Sequence, residues 1–373
     1  MTSVVRIAFL SSGGEERPGG YVRRLGRLRW TRRFPKRVPV ELEGDRAATR
    51  AFAAGEDWII VRDETALPIP GDEIAPAAGR VVVACARPPG SLPVVHTLAE
   101  FESASFPSEG GATNAAPPAA LGFSVSDFPP AAGESVRDYV ERLASSATPR
   151  VPASGFEAIV FEDSSAERPE IVRRVPRGVR RLLDVGCGTG AVSAAVRREN
   201  PGVEITGIER QSSAADRARG RIDRVMAGDA IDSLRELARE GAHFDAFLFA
   251  DVLEHLEDPI GALSLARGLA LDGATLVVSV PNVGHLSIVR DLVRGRFDPV
   301  PAGLADAGHL RWFTRSFLED ALDEAGWKTT LVEALPGAPA PDAEAFLERA
   351  REFPEADAGS LTTYQWVAVA RAE

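Results

Sequence analysis

Cysteine is almost missing from this chain. Two residues in 373, Cys85 and Cys187, stand far apart with no metal-type spacing, so neither a disulfide framework nor a thiolate metal cluster can be read, and a reducing compartment is favoured. Long apolar runs are missing too. Nothing approaches the roughly 20 residues of a membrane span, and the opening MTSVVRIAFLSSGGEE is too short in apolar residues for a secretory signal. The expectation is a cytoplasmic protein with no membrane span. An excess of positive charge is likewise lacking: the net charge is -11, which gives no global attraction to nucleic acid or to an anionic membrane. Lysine occurs only at Lys36 and Lys328. Beside abundant arginine, alanine, glycine and proline, that reads as codon bias, so arginine richness alone carries little meaning.

At this length about two compact units are expected. VVRIAFL (4–10), DWIIVRD (57–63) and GRVVVACA (79–86) read as strands, giving a small amino-terminal α/β domain over 1–105. Between the first two lies the strongest local charge feature, eight basic residues and no acid from Arg23 to Arg37, interleaved with Trp30 and Phe34. Arginines among aromatics suit an RNA contact, whereas Val22, Leu25 and Leu28 suit a packed amphipathic helix, which the overall composition favours. Residues 106–134, rich in Pro, Gly, Ala and Ser, read as a linker. A second domain is expected over 135–373, with its core at 168–333 and a final strand at 361–371. Strand and helix alternate there, the pattern of a mostly parallel sheet covered on both faces. The last two strands, joined without a full helical crossover, predict an antiparallel pair at the edge. Near the end, Ser316 and Glu319 suggest a capping box and Gly326 a helix stop.

LLDVGCGTG (182–190) places three glycines at alternate positions after a strand and before a helix. Glycine is needed where backbone turns sharply and approaches a ligand, and a helix N-terminus offers free N–H groups, so a nucleotide-like cofactor belongs here. Gly186, Gly188 and Ala191 satisfy the dinucleotide fingerprint, with Glu209 at the right distance for ribose hydroxyls. On that count a dinucleotide survives. Asp184 tips the balance: S-adenosylmethionine carries an ammonium group and no pyrophosphate, so an acid at this turn suits it better.

In these residues the chain closely resembles the class I S-adenosylmethionine-dependent methyltransferases, across 168–333 and the last strand. The resemblance implies a Rossmann-like α/β fold and a cofactor site built from Asp184, Gly186, Cys187, Gly188 and Gly190, with Glu209 on the ribose, Asp229 and Ala230 of AGDA by the adenine, and Asp251 at the mouth. The bland alternative for such acids is a helix cap or a solvated turn. Four acids at the ends of successive strands are more than capping requires, because α/β sheets bind ligands at the carboxyl ends of their strands.

ADVLEHLEDP (250–259) follows a buried strand. Asp258 and Pro259 read as the cap and first residue of the next helix, which leaves Asp251, Glu254 and His255 unexplained. RPEI at 168, DVLEHLEDP at 251, VPNVGH at 280 and GHLRWFT at 308 together resemble a bacterial group associated with cell-envelope polysaccharide and secondary metabolites, sometimes beside glycosyltransferases. That implies O-methylation of a glycan-like hydroxyl and a glycosyltransferase partner. Asp251, Glu254, His255 and His309 also resemble the pattern by which ubiquinone-pathway O-methyltransferases and terminal ribose 2′-O-methyltransferases grip substrate through a divalent metal, Mg or Mn, though with Asp251 one methylene short. Without metal, His255 or His309 would serve as general base, and His285 would line the same pocket. The rivals are an RNA-directed methyltransferase and a non-catalytic cofactor-binding subunit.

Overall fold

Strands buried on both faces read as unbroken apolar runs, and FDAFLFA is such a run: alternate side chains enter opposite cores, yet every one is apolar except Asp245 near its start. In the computed structural model this segment is the centre of a seven-stranded sheet. Residues 129–144, 167–300, 303–337, 343–353 and 357–373 are described, together with the strands named below. The basic segment Arg23 to Arg37 and His96 lie outside them.

The chain divides into two compact units, residues 1–162 with 298–308, and residues 163–297 with 309–373. The first holds β1 (Val5–Leu10), β2 (Val38–Leu42), β3 (Asp57–Val61), β4 (Leu67–Pro68), β5 (Val81–Arg87), β6 (Ala120–Ser124), helix α1 (Val136–Ala144) and β7 (Arg150–Ile159). They form a mixed sheet in the order β2-β1-β3-β6-β5-β7-β4. The three amino-terminal strands read from the sequence are present. Of the linker expected over 106–134, residues 120–124 are strand β6, and 106–119 and 125–128 lie outside the described residues.

The second unit alternates strand and helix: α2 (Pro169–Val172), β8 (Arg181–Val185), α3 (Ala191–Glu199), β9 (Glu204–Glu209), α4 (Ser212–Ala218), β10 (Arg224–Ala227), α5 (Ala230–Arg239), β11 (Phe244–Ala250), α6 (Pro259–Gly268), β12 (Ala270–Pro281), α7 (Leu286–Val293), α8 (Arg315–Glu324), β13 (Trp327–Pro336), α9 (Ala343–Ala350), α10 (Ala358–Thr362) and β14 (Thr363–Ala372). Its sheet runs β10-β9-β8-β11-β12-β14-β13. The first five strands are parallel. β14 is antiparallel to both neighbours, so the expected antiparallel pair is there, with the last strand inserted inside the edge.

Phe247 and Phe249 enter one core with Leu234, Leu263, Leu318 and Trp327 from three helices and β13. Ala246 and Leu248 enter the other, with Ile171, Val196 and Ala218. Each large side chain taken fully from water contributes about 1.5–3 kcal/mol. Trp327 also donates from Nε1 to the Leu263 carbonyl at 2.9 Å, which satisfies the one polar atom it buries. The expected stop at Gly326 is seen, with φ 79° just beyond α8. The expected Ser316 cap is corrected: Thr314 is the N-cap and accepts from Phe317 N at 3.3 Å. The helix therefore starts before Ser316, which lies in its first turn.

In the parallel part, strand order reverses between β8 and β11. Loops leaving such strands diverge to opposite faces and open a crevice at their carboxyl ends. The glycine turn follows β8 and DVLEH follows β11, so the fold brings together the two segments that the sequence singled out.

Candidate functional site

β8 delivers Asp184 to its carboxyl end and the chain then reverses. Gly186 N and Cys187 N donate to the Ile208 carbonyl at 2.8 and 3.0 Å, and Gly190 N to the Cys187 carbonyl at 2.8 Å. The φ angles of Gly186, Gly188 and Gly190 are 73°, 53° and 76°, left-handed values that L side chains rarely adopt. Sterics add a second demand at Gly186, where a β-carbon would lie 2.3 Å from Cγ2 of Val252. At Gly188 a β-carbon would meet nothing within 4 Å, so the turn opens there onto space. Cys187 faces the other way. Its buried thiol packs into the core with Ile222, above Gly207, where an added β-carbon would come within 2.6 Å of the sulfur. Burial pushes that thiol well above its usual range, which makes it inert.

The acids around the turn differ in state. Asp184 is 2% exposed and accepts from Ser193 Oγ at 2.6 Å. Burial pushes its carboxyl up to about 7, with the nearby charge of Glu209 adding to the shift. Glu209, at the end of β9, clasps the loop: Oε2 accepts from Gly188 N at 2.9 Å and Oε1 from Gln211 N at 2.7 Å. Asp229 caps α5, Oδ1 accepting from Ile231 N at 2.8 Å and Asp232 N at 3.3 Å, with Ala230 as the first helical residue. The capping role is thus real at Asp229 and absent at Asp184 and Glu209.

Asp251 ends β11 with φ 57°. Its carboxylate is ion-paired to Arg168 and accepts from Ser279 Oγ at 3.0 Å and from Gln365 Nε2. These partners were not foreseen in the sequence. Arg168 opens the RPEI stretch, but 83 residues separate it from Asp251, and only the fold makes them neighbours.

Next comes a one-turn 3-10 helix, Leu253–His255. Leu310 N and Arg311 N both donate to the Glu254 carbonyl, at 2.7 and 3.0 Å, so this turn is stitched to the segment that carries His309. The rings of His255 and His309 meet edge to face with centroids 4.9 Å apart, and His309 meets Trp312 at 5.6 Å. Glu254, His255 and His309 present ligand-type atoms within 4.8 Å of one another. Asp251 stands apart from this group, its oxygens turned to Arg168, Ser279 and Gln365. His285 departs from expectation: it is 2% exposed and caps α7, Nδ1 accepting from Ser287 N at 3.3 Å. The Asp258 cap is seen as expected, accepting from Gly261 N at 2.8 Å with Pro259 in the first turn.

Comparison with known proteins bears on this arrangement. Residues 134–332, more than half of the chain, match the family model described as a methyltransferase domain. A ubiquinone biosynthesis O-methyltransferase of Xylella fastidiosa (strain 9a5c) is 32% identical over 136 residues, which cover 34% of this chain and 55% of that one. A malonyl-[acyl-carrier protein] O-methyltransferase of Geobacter sulfurreducens is 28% identical over 153 residues, 41% of this chain and 57% of that one. The chain thus spans about half the length of these curated relatives. Among solved structures, a SAM dependent methyltransferase from Archaeoglobus fulgidus aligns at 20% identity with a TM-score of 0.40, over 52% of this chain and 86% of that one.

Proposed function

Since the chain belongs to the methyltransferase domain family, we propose that it transfers a methyl group from S-adenosylmethionine to a hydroxyl oxygen, the acceptor being a sugar or a glycan-like small molecule. One observation carries the reading. A glycine turn preceded by Asp184 after β8, and after β11 the Glu254 and His255 turn with His309 beside it, stand at the carboxyl ends of adjacent strands, where the strand order reverses.

The residues present suit the cofactor. The turn has open space before Gly188, a buried carboxyl at its foot, and Glu209 on the next strand with each oxygen already accepting one backbone N–H and lone pairs left for ribose hydroxyls. When bound, S-adenosylmethionine supplies an electrophilic methyl on a cationic sulfur. Asp184 and Glu209 provide negative charge around it. Val252, beneath Gly186, walls the cleft on the β11 side. His255 or His309 takes the proton of the acceptor hydroxyl at an imidazole nitrogen, and holding that hydroxyl in line accounts for most of the acceleration.

The clustering of Glu254, His255 and His309 supports a second arrangement at the same place. These three would hold a divalent ion such as Mg or Mn, which would lower the pKa of a hydroxyl bound to it. The imidazoles would then be ligands and the base would lie elsewhere. An RNA acceptor would rest on the basic segment Arg23 to Arg37, outside the described residues, and the net charge of -11 disfavours it. A non-catalytic subunit, or recruitment of a glycosyltransferase, has less support than the intact glycine and acid set gives to catalysis.

The test is calorimetric titration with S-adenosylmethionine, S-adenosylhomocysteine and NAD, for the native protein and Asp184→Ala, with chelator and then with Mg or Mn. Binding of both sulfur compounds and not NAD, lost in Asp184→Ala, is expected. A panel of methyl glycosides and phenols with radiolabelled donor then identifies the acceptor class. Transfer to the phenols alone would overturn the glycan assignment.

A further inference from the structure

Two buried side-chain atoms of α7, Ser287 Oγ and Asp291 Oδ1, have no hydrogen-bond partner among the described residues. Ser287 is 0% and Asp291 4% exposed. Arg294 Nη1 stands 3.9 Å from Asp291 Oδ1, beyond hydrogen-bond reach, on a side chain more than half exposed. A buried hydroxyl or carboxylate left unbonded destabilises a fold, and is kept where something besides the protein completes the bond. Helical spacing sets the two residues one turn apart on one face of α7. The opposite face is occupied: Leu286 and Val289 pack against Ala343, Phe346 and Leu347 of α9 and Leu361 of α10. At both ends α7 is tied to residues 309–313. Before it, Val283 N donates to the Phe313 carbonyl at 2.9 Å; beyond it, Phe297 meets Trp312 edge to face with centroids 4.9 Å apart. That same segment is stitched to the Glu254 carbonyl and brings His309 to His255. Trp312, half-buried on it, adds the apolar ring surface that small-molecule sites combine with a few placed polar groups.

We propose that Ser287 and Asp291 read the acceptor: Asp291 accepts a hydrogen bond from a hydroxyl other than the one methylated, Ser287 bonds another, and the pair selects a polyhydroxylated ring over a simple alcohol or phenol. The inference deepens the acceptor reading above and rests on it. Side chains one turn apart on a helix have β-carbons about 5–6 Å apart, a span that two hydroxyls of one pyranose ring bridge. A site built to bond a hydroxyl rejects an analogue that lacks it, because its own buried polar group is then left unpaired.

The test uses the full chain, the methyl glycoside that it methylates best, and the monodeoxy analogues of that glycoside, each lacking one unmethylated hydroxyl. The native protein should use one analogue about tenfold to a hundredfold less well in kcat/KM, the range of a hydrogen bond to a charged group. In Asp291→Ala the parent glycoside should fall to the level of that analogue, the two then being used within about threefold of each other. Ser287→Ala should do the same for a different hydroxyl. Both variants should bind S-adenosylhomocysteine as the native protein does, and without acceptor their Tm should rise by about 2–4 °C, since each loses an unbonded buried group. A purely structural role predicts a lower Tm with the discrimination unchanged. Discrimination that persists in both variants, or is absent from the native protein, overturns the proposal and leaves the methyltransferase reading standing. A native protein that methylates no glycoside overturns the proposal and the glycan reading together.

Discussion

Asp184 lies at the foot of the glycine turn, where it accepts from Ser193 on the following helix. Its folded-state value of about 7 stands above the ordinary 3.8, so folding tightens its hold on the proton. The balance is most favourable below about pH 4 and is lost as pH rises toward 7; above that, the cofactor-free protein carries a buried charge costing on the order of a few kcal/mol. Asp184→Asn should therefore raise unfolding stability at pH 8 by about 1–3 kcal/mol, with the gain shrinking toward pH 4, while abolishing S-adenosylhomocysteine binding. Denaturant titrations at pH 8 and pH 4.5 read this; an equal gain at both would deny the role of burial. Gly186 offers a second test, because a side chain there meets both Val252 and an adverse φ. Gly186→Ala should lose cofactor binding and destabilise by about 2–4 kcal/mol, and adding Val252→Ala should restore only the steric share, leaving roughly 1–2 kcal/mol of backbone cost. Full restoration in a denaturation experiment would show the conformational share to be negligible.

At the scale of elements, helix ends were the least legible part of the sequence. Ser and Thr both serve as cap residues, and RWFTRSFLED offers both two positions apart; only the backbone decides, and Thr314 is extended while Ser316 is helical. Thr314→Ala should cost about 1 kcal/mol and Ser316→Ala a few tenths, a ranking that thermal denaturation can reverse. The α6 start was legible because Asp-Pro restricts the choice. Strand and helix alternation from RPEI onward could be read for a similar reason: both faces of the middle of the sheet are covered, so inner strands such as β8 and β11 are apolar runs. β2, β6 and β7 escaped notice, being short or sequence-atypical (VPVEL, ALGFS, RVPASGFEAI) and defined by partners distant along the chain. In the site, Asp184, Glu209 and the glycines announced themselves by spacing. Arg168, Ser279 and Gln365 did not, since their roles exist only as mutual contacts across three elements.

For the whole molecule, a cofactor that binds only the folded chain should stabilise it by mass action. S-adenosylhomocysteine at a hundredfold excess over its Kd should add about 2.7 kcal/mol to the unfolding free energy, read as a rise in Tm that is absent in Asp184→Ala. No helix among the described residues is long and apolar enough to cross a membrane, in keeping with the lack of long apolar runs. The second unit draws on sequence on both sides of residues 298–308, which belong to the other unit; a boundary sought in one composition shift could not have revealed that interleaving.

The placement of β14 has a consequence for the order of events during synthesis. β12 ends at Pro281, yet the partner for its outer side is not complete until Ala372, and β13 pairs with β14 alone within its sheet. At 5–20 residues per second, about 90 residues correspond to roughly 5–20 s of translation. For that interval the nascent chain carries one bare strand edge, and once Pro336 is made also one strand with no sheet to join, the templates on which chains pair with the wrong neighbour. A ribosome stalled late in this message would leave every residue of the glycine turn in place on a sheet that cannot close.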